Sequence, residues 1–345
     1  MAASTDPPRT TGAVLRSAVR SPLVRVLAVL LLVVAGASGW WVSSARTGSG
    51  PRGEAAFATG VPRGVYDRYG VLLKDSMRSA MPGVKVRLDN SEGSLDNLKR
   101  LVSGQDDFAI ATADAVASFL KDQDRPKPDL RAIARLYDDY MQLVVPADSP
   151  VKTVSDLRGL RVGVGQDGSG VNLVTKRLLE AAHLNPGTDI QPKKLGVGDA
   201  ADALQAKQLD AFFWSGGLPT AALTDLSEHT PIRIVPLGEL SDPLHKLEGG
   251  GMDAYRAATI PADAYPLAGP PHTPVPTVAV PNLLVTRAGM DPALVEALTR
   301  VVIDSRDRIG GEVHAAQLVD LRTAVYTDPL PLHEGAKRYY QSVKP

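Results

Sequence analysis

From Glu54 onward, short apolar runs alternate with longer stretches in which apolar positions recur every third or fourth residue. This is the pattern of strands followed by amphipathic helices. AAFAT is expected as a first strand, and Val65, Tyr69, Leu72, Leu73 and Met77 fall at helical spacing after it. VKVRLDN, Val84 to Asn90, alternates as a second strand; SLDNLKRLVSG reads as a helix with Leu95, Leu98 and Leu101 inward and a glycine at its end. DFAIAT is a third strand, and AVASFLKD a helix that must stop by the prolines of DRPKPD. The segment from Leu130 to Gly165 reads as two strands, a turn, a short helix opened by Thr153 and Asp156 as a capping-box pair, and a further strand. A helix from Val171 to His183 presents Val171, Val174, Leu178 and Ala182 on one face. QPKKLGVG, LDAFFWSGG and IRIVPLG then read as strands, with DAADALQAKQ as a helix after the first. Between Leu240 and Val278 glycines and prolines cluster in a long irregular connection. TVAVPNLLVTRAG resumes as a strand, and PALVEALTRVVIDSRDRI as a helix with Leu294, Leu298, Val301 and Ser305 on one side. Repeated strand, helix, strand units predict an α/β protein with parallel sheets and right-handed crossovers.

The N-terminus breaks this pattern. Arg9, Arg16, Arg20 and Arg25 precede VLAVLLLVVAGASGWWVSSA, Val26 to Ala45, which carries no charge. A basic leader before a wholly apolar stretch is a signal peptide or a membrane anchor, and positive-inside orientation places everything after Ala45 outside the cytoplasm. Cleavage near Ala37 or Ala45 and retention as an anchor touching the membrane through residues 26–45 both fit. Residues 46–53 form a Gly/Ser/Pro-rich linker.

With 345 residues, 44% hydrophobic and 22% charged, the chain has material for two aliphatic cores. The formal charge is zero, but the first 45 residues hold four arginines against Asp6, leaving 34 basic and 37 acidic residues, about −3, in the rest. No basic stripe points to a nucleic acid. The chain has no cysteine, which excludes disulfides, thiolate metal sites and thiol nucleophiles.

Several motifs are decoys. GVGQDG, Gly163 to Gly168, fits a dinucleotide-binding turn, but the next strand offers no acid for a ribose before Asp199, and such cofactors are scarce outside the cytoplasm. The six histidines, at positions 183, 229, 245, 272, 314 and 333, never pair at i, i+4, and no G-x-S-x-G is present. Asp138 and Asp139, adjacent in a strand, point to opposite faces and cannot form an acid/base dyad; they are expected to cap a strand or sit in solvent. No catalytic residue, metal ligand or cofactor is expected.

Three glycine-bearing turns each lead from a strand into a helix: ATGVPRG at 58–64, NSEGS at 90–94 and GQDGSG at 165–170. At such a turn the first helical N–H groups lack internal partners and the macrodipole is positive, so an anion binds readily. In parallel sheets these turns lie at the carboxyl ends of strands, where ligands of open α/β folds bind.

TGVPRGVYDRYG, NSEGSLDNLKRLVSGQDDFAIATAD, VSDLRGLRVGVGQDGSG, LDAFFWSGGLP, IPADAYP and TVAVPNLLVTRAG, taken in order, resemble the TAXI-type solute-binding proteins of tripartite ATP-independent (TRAP) transporters over about Phe57 to Tyr339. The resemblance implies a two-lobed, type II periplasmic-binding-protein fold, two Rossmann-like domains joined by hinge strands. Residues 54–145 and 257–345 would form the first lobe and 146–256 the second. It implies a receptor, not an enzyme, that binds a small carboxylate such as glutamate or a related dicarboxylate and delivers it to membrane permease subunits as a monomer. A sensor module reporting to a membrane partner such as a histidine kinase is the alternative. The expected ligand contacts are Thr59, Gly60, Arg63 and Tyr66 on the first turn, Ser91 and Ser94 on the second, and Gly168, Ser169 and Gly170 on the third. Trp214, Ser215 and Gly216 would form a wall, Tyr265 would close over the ligand, and Asp114 would orient donors or hold an ammonium group. Two departures from the family pattern bear on the ligand: Arg63 stands where small or hydroxyl residues are usual, and Val171 where a threonine is common.

Overall fold

The computed structural model describes residues 50–122, 128–247, 251–267 and 273–343. The leader and membrane-contact segment, most of the linker, part of the EGGG run and residues 268–272 of the proline-rich connection lie outside them. Among the described residues no helix is long and apolar enough to cross a membrane, and no group of three or more His, Cys, Asp or Glu is placed to hold a metal ion.

The chain opens with β1 (Gly53–Gly60), α1 (Val65–Ala80), β2 (Val84–Asn90), α2 (Ser94–Ser103), β3 (Phe108–Thr112) and α3 (Ala113–Lys121). Phe108 to Thr112 is buried throughout, as befits a strand covered on both faces, whereas in β2 at the sheet edge only Val84 is buried and the rest are half-buried or exposed. Every apolar position assigned to the face of α1 is buried. Gly104 ends α2 in the left-handed conformation, φ 78°, and its N–H closes the last turn.

The long strand β4 (Leu130–Pro146) follows, then β5 (Arg161–Gly163), α4 (Gly170–Ala181), β6 (Gln191–Lys193), α5 (Val197–Gln205), β7 (Ala211–Gly216), α6 (Ala221–His229), β8 (Ile232–Val235) and α7 (Ser241–His245). β9 (Arg256–Ile260), the long β10 (Val275–Arg287), α8 (Pro292–Asp304), α9 (Arg306–Gly310) and α10 (Glu334–Ser342) complete the structure. The sheet runs β2-β1-β3-β10-β4-β7-β5-β6, with β8 also on β4 and β9 on β10.

Two corrections concern this sheet. It is mixed: β1 is parallel to β2 and β3, and β5 to β6 and β7, but β10 is antiparallel to β3, β4 and β9, and β4 to β7 and β8. The segment read as two strands is one, because Asp138 and Asp139 lie inside β4 and pair with Pro281 and Val280 of β10. Pro281 donates no ladder bond, and a register shift follows it, which is how a proline is accommodated in a long strand. The connection from Leu240 to Val278 is also less irregular than its composition suggests, since it contains α7 and β9. The Thr153–Asp156 capping box is present at the head of a short 3₁₀ helix.

The early half of β4, and the late half of β10, belong to the side of the sheet with β1, β2 and β3. Their other ends pair with β7, β8 and β9. On the first side Tyr69, Leu73, Met77, Phe108, Leu298 and Tyr340 share one core, and Leu98, Leu101 and Leu130 another on the opposite face. On the second side the two cores are built around Leu143, Val162, Leu178 and Phe213 and around Leu204, Phe212, Leu223 and Ile232. Apolar burial of this kind contributes about 25 cal/mol per Å², and here it is gathered on either side of the pair of long strands.

Candidate functional site

The β1–α1, β2–α2 and β5–α4 turns converge on one cleft, with the end of β7 as its wall and β4 as its floor. Gly60, Tyr66, Ser94, Ser169, Gly170, Trp214, Ser215 and Gly216 all line it.

The turns are built for close approach. Gly60, Gly93, Gly165 and Gly168 have φ of 98°, 115°, 78° and 82°, which only glycine adopts without strain. A Cβ on Gly170 would stand 2.9 Å from Ser94 Oγ and 3.2 Å from Thr112 Oγ1, so the head of α4 packs directly against the second turn. Ser169 caps α4, its hydroxyl accepting the Asn172 N–H at 3.0 Å while donating to the Gln166 carbonyl at 2.7 Å. The first N–H groups of α1 and α4 have no intrahelical acceptor and lie at the cleft. α2 differs: the Leu95 and Asp96 N–H groups donate to the Gly168 carbonyl at 3.0 and 3.1 Å. That helix start is occupied by the chain itself, and Gly168 acts through its carbonyl outside the lining.

A polar chain crosses the floor. Tyr66 Oη donates a short hydrogen bond to Asn282 Oδ1 and stands 3.3 Å from Ser94 Oγ. Asn282 Nδ2 donates to Asp139 Oδ1 at 2.7 Å, and Ser215 Oγ lies 3.5 Å from Asp139 Oδ2. Asp139 is 2% exposed. Burial pushes its carboxyl up to about 7, with the negative charges of Asp138 and Asp114 adding to the rise and the bonds from Asn282 and Ser215 opposing it. Burial likewise raises the Tyr66 phenol well above its ordinary value. Asp139 is therefore neither a strand cap nor solvated, which corrects the sequence expectation. Asp138, on the opposite face, does sit near the surface, paired with Arg135 at 2.6 Å.

The other expected contacts lie outside the lining. Thr59 is buried beneath Gly70 of α1 and donates to the Asp89 carbonyl at 3.3 Å. Ser91 donates to Asn97 Oδ1 and accepts the Gly93 N–H, shaping the second turn. Arg63, half exposed and held at φ 64°, reaches Asp225 at 3.3 Å and Asp202 at 4.0 Å, joining the first turn to α6 and α5. Asp114 accepts from Tyr255 Oη at 2.7 Å and Arg177 Nη1 at 3.1 Å in a buried network. Tyr265 stands behind the wall, its Oη accepting the Thr220 N–H at 3.0 Å, while Trp214 Nε1 donates to Thr220 Oγ1 at 2.9 Å.

Asp139, Asn282, Gln166 and Glu92 line or support the cleft without having been singled out as contacts. For Asp139 and Asn282 a signal existed, a polar residue at a position where the strand alternation demands an inward side chain.

A curled mixed sheet whose two sides share two long strands, with a cleft at the helix starts, is the type II periplasmic-binding-protein architecture. The chain belongs to the NMT1-like family, which it matches over residues 57–343. Among solved structures it is similar to the periplasmic aliphatic sulphonate binding protein SsuA from Escherichia coli, with 17% identity, 86% of this chain and 84% of that chain covered and a TM-score of 0.43. The alkanesulfonate-binding protein SsuA from Xanthomonas axonopodis pv. citri, bound to MOPS, gives 18%, 86%, 86% and 0.48. An ancestral arginine-binding protein bound to arginine gives 17%, 76%, 98% and 0.45.

Proposed function

We propose that this protein is an extracytoplasmic solute-binding receptor that captures a small carboxylate between two lobes and hands it to membrane permease subunits of the TRAP type. The observation that carries the proposal is the cleft itself. Two helix starts, α1 from one side and α4 from the other, face one cavity, and the sides touch at Gly170, Ser94 and Gly168. In this reading residues 54–145 and 257–345 form one lobe and 146–256 the other, and β4 and β10 are the hinge. Backbone N–H groups and the hydroxyl of Ser94 hold the carboxylate, and Trp214 packs on its apolar part. The six ordered segments from TGVPRGVYDRYG to TVAVPNLLVTRAG support the TRAP assignment, and the basic, apolar leader supports a location outside the cytoplasm.

Thermal unfolding of the full-length protein in detergent, against a panel of monocarboxylates, dicarboxylates and amino acids, tests the proposal. A ligand at 100 times its Kd adds about 2.7 kcal/mol of stability, a shift of a few degrees. A selective shift is expected. No shift with any carboxylate, in protein freed of copurified ligand, would sink the reading.

A further inference from the structure

The charge of the cleft does not match a solute that carries only negative groups. Among the described residues, its charged lining side chains are Glu92 and Asp139, both acidic; no Lys, Arg or His lines it. Glu92 is exposed, at the rim, while Asp139 is buried in the floor. The two Asp139 oxygens meet only neutral donors, Asn282 from β10 and Ser215 from β7. Among the described residues no cationic side chain forms an ion pair with it. Among the described residues, the ionisable groups recorded as acting on it are Tyr66 of α1, Tyr137 and Asp138 of β4 and Asp114 of α3, and none of these carries positive charge.

A buried carboxylate without a cation is costly, so the group either takes up a proton or meets a positive charge brought from outside the chain. Gln166 adds an independent sign. Its Oε1 is enclosed in the same cleft and has no hydrogen-bond partner among the described residues. The cleft thus presents a buried carboxyl without a cationic partner at Asp139, an unmet acceptor on Gln166, helix-start N–H groups at α4, and apolar surface from Val61, Val171, Leu195 and Trp214.

Resting on the solute-receptor reading, we infer that the ligand is a zwitterionic amino acid with an uncharged, largely apolar side chain, its ammonium group held by Asp139 and its carboxylate at the start of α4. The amine is then a requirement, and a second carboxylate is a handicap. An arriving ammonium also favours the ionised form of Asp139, so binding near neutral pH expels a proton from a carboxyl that is partly protonated in the empty cleft.

The test is titration calorimetry on the full-length protein with matched pairs: leucine and 4-methylpentanoate, phenylalanine and 3-phenylpropanoate, glutamate and glutarate. Within a binding pair the amine-bearing member is expected to bind on the order of 10- to 100-fold more tightly. In Asp139→Asn that preference should collapse to about threefold or less. Repeating the wild-type titration at pH 7 in buffers of different ionisation enthalpy should reveal proton release with the amino acid, and this arm needs no variant. Equal or tighter binding of the des-amino acids by the wild type would overturn the inference and leave the receptor reading standing. Preference for the amine that survives Asp139→Asn would overturn the assignment to Asp139. Failure of every member of every pair to bind would overturn the receptor reading and the inference with it.

Discussion

Two carboxylates, Asp114 and Asp139, are buried to nearly the same degree, at 1% and 2% exposure, and live in opposite ways. Asp114 has Arg177 at 3.1 Å and the Tyr255 hydroxyl at 2.7 Å, and Arg177 goes on to Ser118 at 2.6 Å. Its charge is neutralised within the fold, and the network ties α3 on one side of the sheet to α4 and the segment before β9 on the other. Asp139 meets an amide and a hydroxyl and faces a cavity. Burial alone therefore does not mark a functional acid; what separates the two is whether the chain supplies the counter-charge.

The sharpest way to break this comparison is Asp114→Ala. It leaves the Arg177 guanidinium buried without its carboxylate and should cost about 3–5 kcal/mol, read as a fall in Tm and in the denaturant midpoint. A loss below about 1 kcal/mol would mean that the pair is not a buried unit.

Asp139→Asn should do the reverse in the empty protein. Because the folded carboxyl is held near 7 and the unfolded one titrates near 4, protonation favours the fold. That contribution is fully present below about pH 4 and is lost as pH rises through 7. The wild type should therefore lose a few kcal/mol between pH 4 and 8, while the variant follows a flatter curve and is the more stable of the two above pH 7. Identical pH profiles would show that Asp139 titrates as an exposed acid.

A third prediction concerns closure. Gly170→Ala places a methyl against Ser94 Oγ and Thr112 Oγ1, and should weaken ligand binding about tenfold, by ~1–2 kcal/mol, with Tm nearly unchanged. Unaltered affinity would show that the contact is not kept in the bound form. The smallest effect is expected from Arg63→Ala, since its pairs with Asp225 and Asp202 are exposed; less than about 1 kcal/mol should be lost, and less still in high salt.

Local periodicity made the first three strand and helix units legible, down to the buried face of α1 and the terminal glycine of α2. The three turns were legible as well, because glycine and serine announce a helix start in the residues beside it. What was hidden depends on distant partners. Asp138 and Asp139 look like a break in β4 until β10, more than a hundred residues later, pairs with them. Asn282 lies 143 positions from Asp139, and Asp225 162 positions from Arg63. The reading of Arg63 and Asp114 as ligand contacts used their charge and their position on the chain, whereas their surroundings come from segments that no local pattern could bring to them. α6, Ala221–His229, was missed because its apolar face is short, Ala222, Leu223 and Leu226.

The bonds from Leu95 and Asp96 to the Gly168 carbonyl join amides of one side of the cleft to an acceptor on the other. Whenever the sides part, these two protons are released to solvent together, while the interior amides of α2 keep their own acceptors. In the receptor reading proposed above, their deuterium uptake is a clock set by the opening of the cleft, slowed by the fraction of molecules in which a solute holds it shut.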